Sequence, residues 1–322
     1  MMFSNSAKLA FGAAAILSAL AHGPVSAQSV AVTSIVEHPA LDSIKDGVEQ
    51  ALKEAGYTQA KGLEWQFQTA QGNTAIAAQI ARKFVGDNPD VIVAIATPSA
   101  QAVVAATKSI PVVYSAVTDP VAAQLVPSMG PSATNVTGVS DSLALEKQVE
   151  LIKKVLPDAK RVGMVYNPGE ANSVVVVEQM RKLLQQSDMS LVEATAARTV
   201  DVGAAARSLV GKVDVIYTNT DNNVVSAYEA LVKVGNDAKI PLIASDTDSV
   251  KRGAIAALGV NYKNLGLQTG KMVIKILKGA KPGDLASETS DKLELYVNPG
   301  AAKKQGVTLS EDFIKSATQV VE

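Results

Sequence analysis

Val91-Ile92-Val93-Ala94-Ile95-Ala96, followed at once by Thr97-Pro98-Ser99, is the stretch that decides the fold. Six successive apolar residues without alternation read as a strand covered on both faces, the mark of a parallel sheet packed between helices. Pro98 suits a helix start, where its missing N–H would have had no helical partner. A buried strand therefore runs directly into a helix.

The same rhythm extends both ways. Upstream lies a strand at 29–35, then Leu41, Ile44, Val48 and Leu52 on one helical face, which Gly56 stops as a C-terminal cap glycine would. A strand at 63–69 and a helix carrying Ile76, Ile80 and Phe84 follow. Downstream are a helix over 98–107 and a strand over 110–116. After Ser140 the pattern restarts with a helix over 143–156, a strand over 161–166, and a helix bearing Val174, Val177, Met180 and Leu184. Strands at 191–194, 214–218 and 240–244 come next, with a helix over 224–234 between the last two. Strand–helix alternation run twice predicts an α/β fold of two doubly wound parallel-sheet lobes. The tail breaks the rhythm with a strand at 254–260, a helix over 265–277 and a strand at 292–297. It reads as chain crossing back between lobes, which makes a multi-strand hinge.

The N-terminus points to export. Lys8 is the only charge before an apolar run over 9–21, and Val25-Ser26-Ala27 forms a small-residue cleavage site. This is the layout of a signal peptide over 1–27. The chain has no cysteine, so disulfides, thiol nucleophiles, zinc–thiolate sites and a lipid-modified cysteine are excluded, and a freely diffusing periplasmic protein is expected. The net charge is −1, and losing Lys8 makes it one unit more negative. Without basic blocks, nucleic acid and anionic lipid are poor partners.

In an open parallel sheet ligands bind beyond the carboxyl ends of the strands. Nearly every predicted strand here ends in a polar cluster: Thr33-Ser34 with Glu37-His38-Pro39, Thr97-Pro98-Ser99, Ser115 with Thr118-Asp119-Pro120, the stretch from Asn167 to Ser173, Thr218 to Asn222, and Ser245 to Asp248. Pro39, Pro98 and Pro120 each mark a helix start, with Thr97 and Asp119 as N-caps. Each cluster singly can be only a cap or turn; together they describe one cleft between two lobes. Helix N-termini assisted by Thr97 and Ser99 suit a carboxylate, while Glu170, Asp221 and Asp246 suit an ammonium group. A zwitterion needs both.

Catalysis is the poorer reading. His22 lies in the leader, so His38 is the single histidine beyond it, and no nucleophile elbow or His-Glu-x-x-His spacing accompanies it. His38 is expected to cap a helix or touch a ligand. Gly266-Leu267-Gln268-Thr269-Gly270-Lys271 is one residue too short for a phosphate loop and lies in a helical pattern, so its glycines are expected to serve packing. No catalytic residue, metal site or cofactor is assigned.

At these clusters the sequence resembles ABC transporter substrate-binding proteins of the tryptophan/tyrosine type, a branch of the type I periplasmic binding fold. The matching stretches are Ile35-Val36-Glu37-His38-Pro39-Ala40-Leu41-Asp42, Ala96-Thr97-Pro98-Ser99-Ala100-Gln101, Ser115-Ala116-Val117-Thr118-Asp119-Pro120, Asn135-Val136-Thr137-Gly138, and Tyr166-Asn167-Pro168-Gly169-Glu170-Ala171-Asn172-Ser173. Thr220-Asp221 and Ala244-Ser245-Asp246-Thr247-Asp248 with Arg252-Gly253-Ala254 complete the set. The resemblance implies two lobes, 28–140 plus 258–283 and 141–257 plus 284–322. It also implies a cleft that binds an amino acid, often aromatic, and delivery to a membrane permease by a monomer. The cleft residues it implies are Glu37, His38, Thr97, Ser99, Ser115, Thr118, Asp119, Asn167, Glu170, Asn172, Ser173, Asp221 and Asp246. Thr97, Ser99 and Thr118 are expected toward the carboxylate, and Asp246 or Asp221 toward the ammonium. Among Tyr114, Tyr166 and Tyr217, Tyr166 is the expected stacking partner and Tyr217 a packing residue. A branched-chain or other metabolite as ligand, a sensor for a membrane receptor, a secreted enzyme and a sugar-responsive regulator are the rival readings.

Overall fold

The computed structural model describes residues 28–290 and 292–322; the expected leader over 1–27 lies outside the described residues. The first series is β1 (Gln28–Ser34), α1 (Pro39–Glu54), β2 (Leu63–Thr69), α2 (Thr74–Asp87), β3 (Val91–Ile95), α3 (Thr97–Ala106), β4 (Val112–Ser115) and β5 (Val136–Ser140). The second is α4 (Leu145–Val155), β6 (Arg161–Tyr166), α5 (Ala171–Gln185), β7 (Ser190–Thr195), α6 (Val202–Ser208) and β8 (Val215–Thr218). It continues with α7 (Asn222–Ser226), α8 (Tyr228–Ala238), β9 (Leu242–Ala244), α9 (Asp248–Lys251) and β10 (Ala256–Val260). The tail adds α10 (Tyr262–Leu277), β11 (Glu288–Thr289), β12 (Leu293–Val297), α11 (Pro299–Lys304), α12 (Glu311–Lys315) and β13 (Gln319–Val320).

Two sheets result, in the orders β2-β1-β3-β4-β5-β11 and β7-β6-β8-β9-β10-β12-β13. All described pairings are parallel except β10 with β12. Each sheet repeats the same doubly wound order, reversing direction between β1 and β3 in one and between β6 and β8 in the other. Every residue of β3 is buried, as its unbroken apolar run requires. One apolar cluster encloses the first sheet, and two clusters cover the faces of the second.

The chain passes between the sheets three times, and two of the expected lobe limits move. Leu258, Gly259 and Val260 stay in the second sheet, because β10 pairs with β12 through Val260. Glu288 and Thr289 belong to the first sheet, where β11 supplies pairing partners to Val139 and Ser140 that would otherwise leave β5 an open edge. The second crossing therefore falls at 261–262, and the third follows β11.

Two helices differ from expectation. The one expected over 224–234 breaks at Ala227, because the Arg252 guanidinium takes the carbonyls of Val225 and Ser226 at 2.6 and 3.5 Å, which a continuous helix would use itself. Pro120 starts only a turn: Asp119 caps the N–H groups of Val121 and Ala122 as expected, but Gln124 adopts φ 60° and ends the coil.

The glycines of α10 serve packing, as expected. A Cβ on Gly266 would sit 2.3 Å from the Ile44 carbonyl oxygen, and one on Gly270 would sit 2.5 Å from Ala51 Cβ. Both stand against α1, whose backbone cannot retreat from β1 and β3. Gly266→Ala should therefore destabilise the protein by about 1–3 kcal/mol, the usual range for overpacking. Urea unfolding checks this, and an unchanged midpoint would refute the close helix contact.

Candidate ligand-binding site

The carboxyl ends of both sheets face each other, so the loops after β1, β3 and β4 meet those after β6, β8 and β9. Two adjoining cavities lie between them. The central one is lined from the first lobe by His38, Leu41, Ala96, Ala116 and Thr118, and from the second by Asn172, Thr220, Asn222, Val225 and Asp246, with Asp141 and Tyr262 at the crossings. The other is lined by Leu143, Leu145, Val175, Val176 and Tyr217, with Asp119, Ser142, Asn219, Ser245 and Gln179 among its polar neighbours. Thr118, Asp141 and Thr220 border both, so the two spaces form one bent chamber. Ala96 and Ala116, at the ends of β3 and β4, hold φ values of 71° and 53°. A non-glycine residue in that region stores strain, and here the strain brings backbone up to the central cavity.

The central cavity is acidic. Neither lining contains Lys or Arg; the central one contains Asp141 and Asp246, both buried, and the other contains Asp119 and the same Asp141. Asp141 accepts from the Tyr262 hydroxyl at 2.9 Å and from Thr118 Oγ1 at 3.2 Å. Burial raises its pKa, and these two bonds oppose the rise. Asp246 accepts from the backbone and hydroxyl of Ser249 at 2.8 and 2.6 Å, and burial raises it as well. Opposite stands His38, whose Nδ1 accepts from the Leu41 N–H at 3.5 Å and so caps α1. Burial, with the charge of Arg252, lowers its pKa to about 3, so the ring is neutral and carries its proton on Nε2. Arg252 itself is committed to Glu229 and to the helix carbonyls.

Behind the second-lobe wall lies a satisfied polar network. Asp221 caps α7 through the Val224 N–H at 3.0 Å and accepts from the Asn167 N–H and the Ser173 hydroxyl, each at 2.7 Å. Glu170 accepts from the Asn222 backbone and amide at 3.1 and 2.6 Å, from Asn172 at 3.3 Å and from Asn167 at 3.4 Å. Burial raises Glu170 to about 8, with help from the Asp221 charge and against the donation of Asn222 and Asn172.

Of the expected cleft residues, His38, Thr118, Asp119, Asn172 and Asp246 line the cavities. Asn167, Glu170, Ser173 and Asp221 form the network behind them. The other expected residues stand elsewhere. Ser115 points through its sheet to Thr269 of α10, at 2.7 Å, because strand alternation turns it away from the cleft. Tyr166 bonds Glu193 of the edge strand β7 at 3.0 Å and lines neither cavity; Tyr217 lines the apolar one while also packing in the core. Glu37 is exposed and lines neither space. Thr97 is the first helical residue of α3 rather than its cap, and its hydroxyl, like that of Ser99, is buried with no partner among the described residues. Tyr114 packs in the first core over Gly138. Missed from the sequence are Asp141 and Tyr262, while Thr220 and Asn222 belong to the polar cluster expected after β8. The one signal for Asp141 is its place where the strand–helix rhythm restarts.

The raised pKa of Glu170 sets a sign for stability. In the folded protein it keeps a proton that the unfolded chain releases near 4.5, so stability falls as pH rises from about 4.5 to about 8 and is lowest above that. Chemical unfolding at several pH values should show this decline, and Glu170→Gln should flatten it; equal slopes for the two proteins would refute the assignment.

Among the described residues no group of three or more His, Asp or Glu side chains is placed to hold a metal, and no helix is long and apolar enough to cross a membrane. The profile of the family described as ABC transporter substrate binding protein matches residues 29–321. A tyrosine-binding protein from Clostridioides difficile is 41% identical over 289 residues, covering 89% of this chain and 84% of the relative. The ABC domain in complex with L-Trp from Streptococcus pneumoniae superposes with a TM-score of 0.88 at 33% identity, covering 92% of this chain and 100% of that one. A ligand-free, open substrate-binding protein with adhesive properties from Clostridium difficile gives 0.69 at 38% identity, covering 92% and 99%. With the match spanning both lobes and the cleft between them, this chain belongs to the ABC transporter substrate-binding protein family.

Proposed function

We propose that the chain captures an amino acid with an aromatic side chain in the periplasm and presents it to the permease of an ABC importer. The bent chamber carries this reading. Asp141 and Asp246 supply negative charge for the ammonium group in a space without Lys or Arg. The neutral His38 Nε2–H and the start of α3, where Ala96 lines the cavity, offer donors to the carboxylate. Leu143, Leu145, Val175, Val176 and Tyr217 surround a space suited to an apolar ring. The tyrosine-binding and L-Trp-bound relatives support the aromatic class.

Calorimetry on refolded, ligand-free protein should show binding of aromatic amino acids. Asp246→Asn should weaken it at least tenfold by removing a buried charge partner. Absence of binding by every common amino acid would remove the assignment.

Capture proceeds by swinging the two lobes together about the three crossings. Thr118 of the first lobe and Thr220 of the second share a hydrogen bond at 3.2 Å across the cleft, a contact an open form would lose. The L-Trp-bound relative superposes better than the open one despite its lower identity, which supports a closed arrangement here. Solution scattering should therefore show a smaller radius of gyration with saturating ligand than without. Identical profiles would sink the closing mechanism.

A further inference from the structure

The mouth of the cleft carries a contact between the lobes that the ligand chamber does not include. In the first sheet β2 lies at the edge opposite β5 and β11, and in the second β7 lies at the edge opposite β12 and β13. The crossings follow β5, β10 and β11, so the loops after β2 and β7 stand on the far side of the cleft from the hinge. Residues there travel furthest when two lobes swing apart, and a contact between them is the first to break.

The first-lobe side is a preformed turn. The Asn73 N–H donates to the Ala70 carbonyl at 2.9 Å, and Gln71 and Gly72 hold φ values of 53° and 77°, the positive pair of a type I′ turn. The Gly72 N–H donates to the Ile35 carbonyl at 2.7 Å, which ties the turn to the segment leading from β1 to His38. Asn73 caps α2 through the Ala75 and Ile76 N–H groups at 2.8 and 3.2 Å.

The second-lobe side is fastened as well. Asn223, buried in α7, accepts from the Thr199 hydroxyl at 3.3 Å and donates to the Ala196 carbonyl at 3.4 Å, joining α7 to the loop after β7. Arg198 and Asp201 brace that loop with two bonds of 2.9 Å. Gly72 meets this surface without a side chain: a Cβ there would stand 3.7 Å from Asn223 Oδ1 and 3.9 Å from Thr199 Oγ1. One carbon fits, but a longer side chain would need space that Asn223 and Thr199 fill. Asn222 and Val225, beside Asn223 in α7, line the central cavity, so this contact lies just outside it.

We infer that Gly72, Thr199 and Asn223 form a clasp that shuts the mouth over bound ligand and sets the rate of its release. The inference rests on the proposed capture by lobe closure and adds where release is controlled. An incoming ligand meets the open form, in which these residues are apart, so the clasp leaves association alone. Departure requires the lobes to part, and a contact made only in the closed form slows that step.

Stopped-flow binding of L-tyrosine and L-tryptophan to refolded protein measures both rates. Gly72→Leu and Thr199→Trp crowd the clasp from opposite lobes. Each should raise the dissociation rate at least about tenfold while association stays within about twofold. A substitution that merely loosened the fold would not divide the two rates in this way. Thr199→Trp leaves the left-handed turn untouched and carries the test where Gly72→Leu fails to fold. The chain has no cysteine, so in the double variant Gly72→Cys, Thr199→Cys a disulfide formed with diamide can only join the clasp. It should form faster with saturating ligand, and the bridged protein should keep its ligand until reduced. Unchanged dissociation in the single variants, or bridging indifferent to ligand, would overturn the clasp while amino-acid capture by the unaltered protein stands. Failure of the unaltered protein to bind either amino acid would remove the proposed function, and the clasp with it.

Discussion

Asp141 sits where the chain first leaves the first sheet, and much of the cleft depends on how its carboxylate is held. One oxygen takes the Tyr262 hydroxyl from the second crossing, and the other takes Thr118 from the wall of the first lobe. A carboxylate fully removed from water tolerates that position only with good donors, and two are present. The same group thus ties two hinge segments together, braces the residue that reaches across to Thr220, and places negative charge at the bend of the chamber. Asn261 adds a link to Glu294 at 3.3 Å, joining the second crossing to β12. Crossing segments and cavity wall therefore share one set of bonds, the coupling that the proposed closing mechanism requires.

The two walls are built differently. On the second lobe Asn167, Glu170, Ser173, Asp221 and Asn222 satisfy one another, which holds the loops after β6 and β8 rigid without any ligand. Among the residues that line the chamber, Asn172 Oδ1 and Asn219 Oδ1 lack partners, and Thr97 and Ser99 lack them behind the first-lobe wall. Buried polar atoms are almost always paired in native proteins. On the first-lobe side the strained backbone of Ala96 and Ala116 comes up to the same chamber.

Periodicity made the strands and helices legible. β2 and β6 begin and end where the apolar pattern places them, and His38 caps the helix that Pro39 opens. The short elements were not legible: α6 shows no apolar stripe in Gly203-Ala204-Ala205-Ala206, and two-residue strands such as β11 exist only through a neighbour's edge. The break between α7 and α8 lies outside local sequence too, since Arg252 causes it from more than twenty residues away. At the site, residues flagged because they end a strand were sorted by direction. Thr118 and Asp246 turn into the chamber, whereas Ser115 and Tyr166 turn to α10 and to the sheet edge.

The sequence by itself determined two doubly wound lobes, the strand ends where polar residues gather, and the absence of thiol chemistry. These follow from composition and from hydrophobic spacing, which are properties of neighbouring residues. Only the tertiary structure decided that Asp141 joins Asp246 on one cavity and that Tyr217 rather than Tyr166 borders the other. Each of those depends on partners brought from distant parts of the chain. A hydrogen bond across fifty or a hundred residues leaves no periodic trace in the amino-acid order.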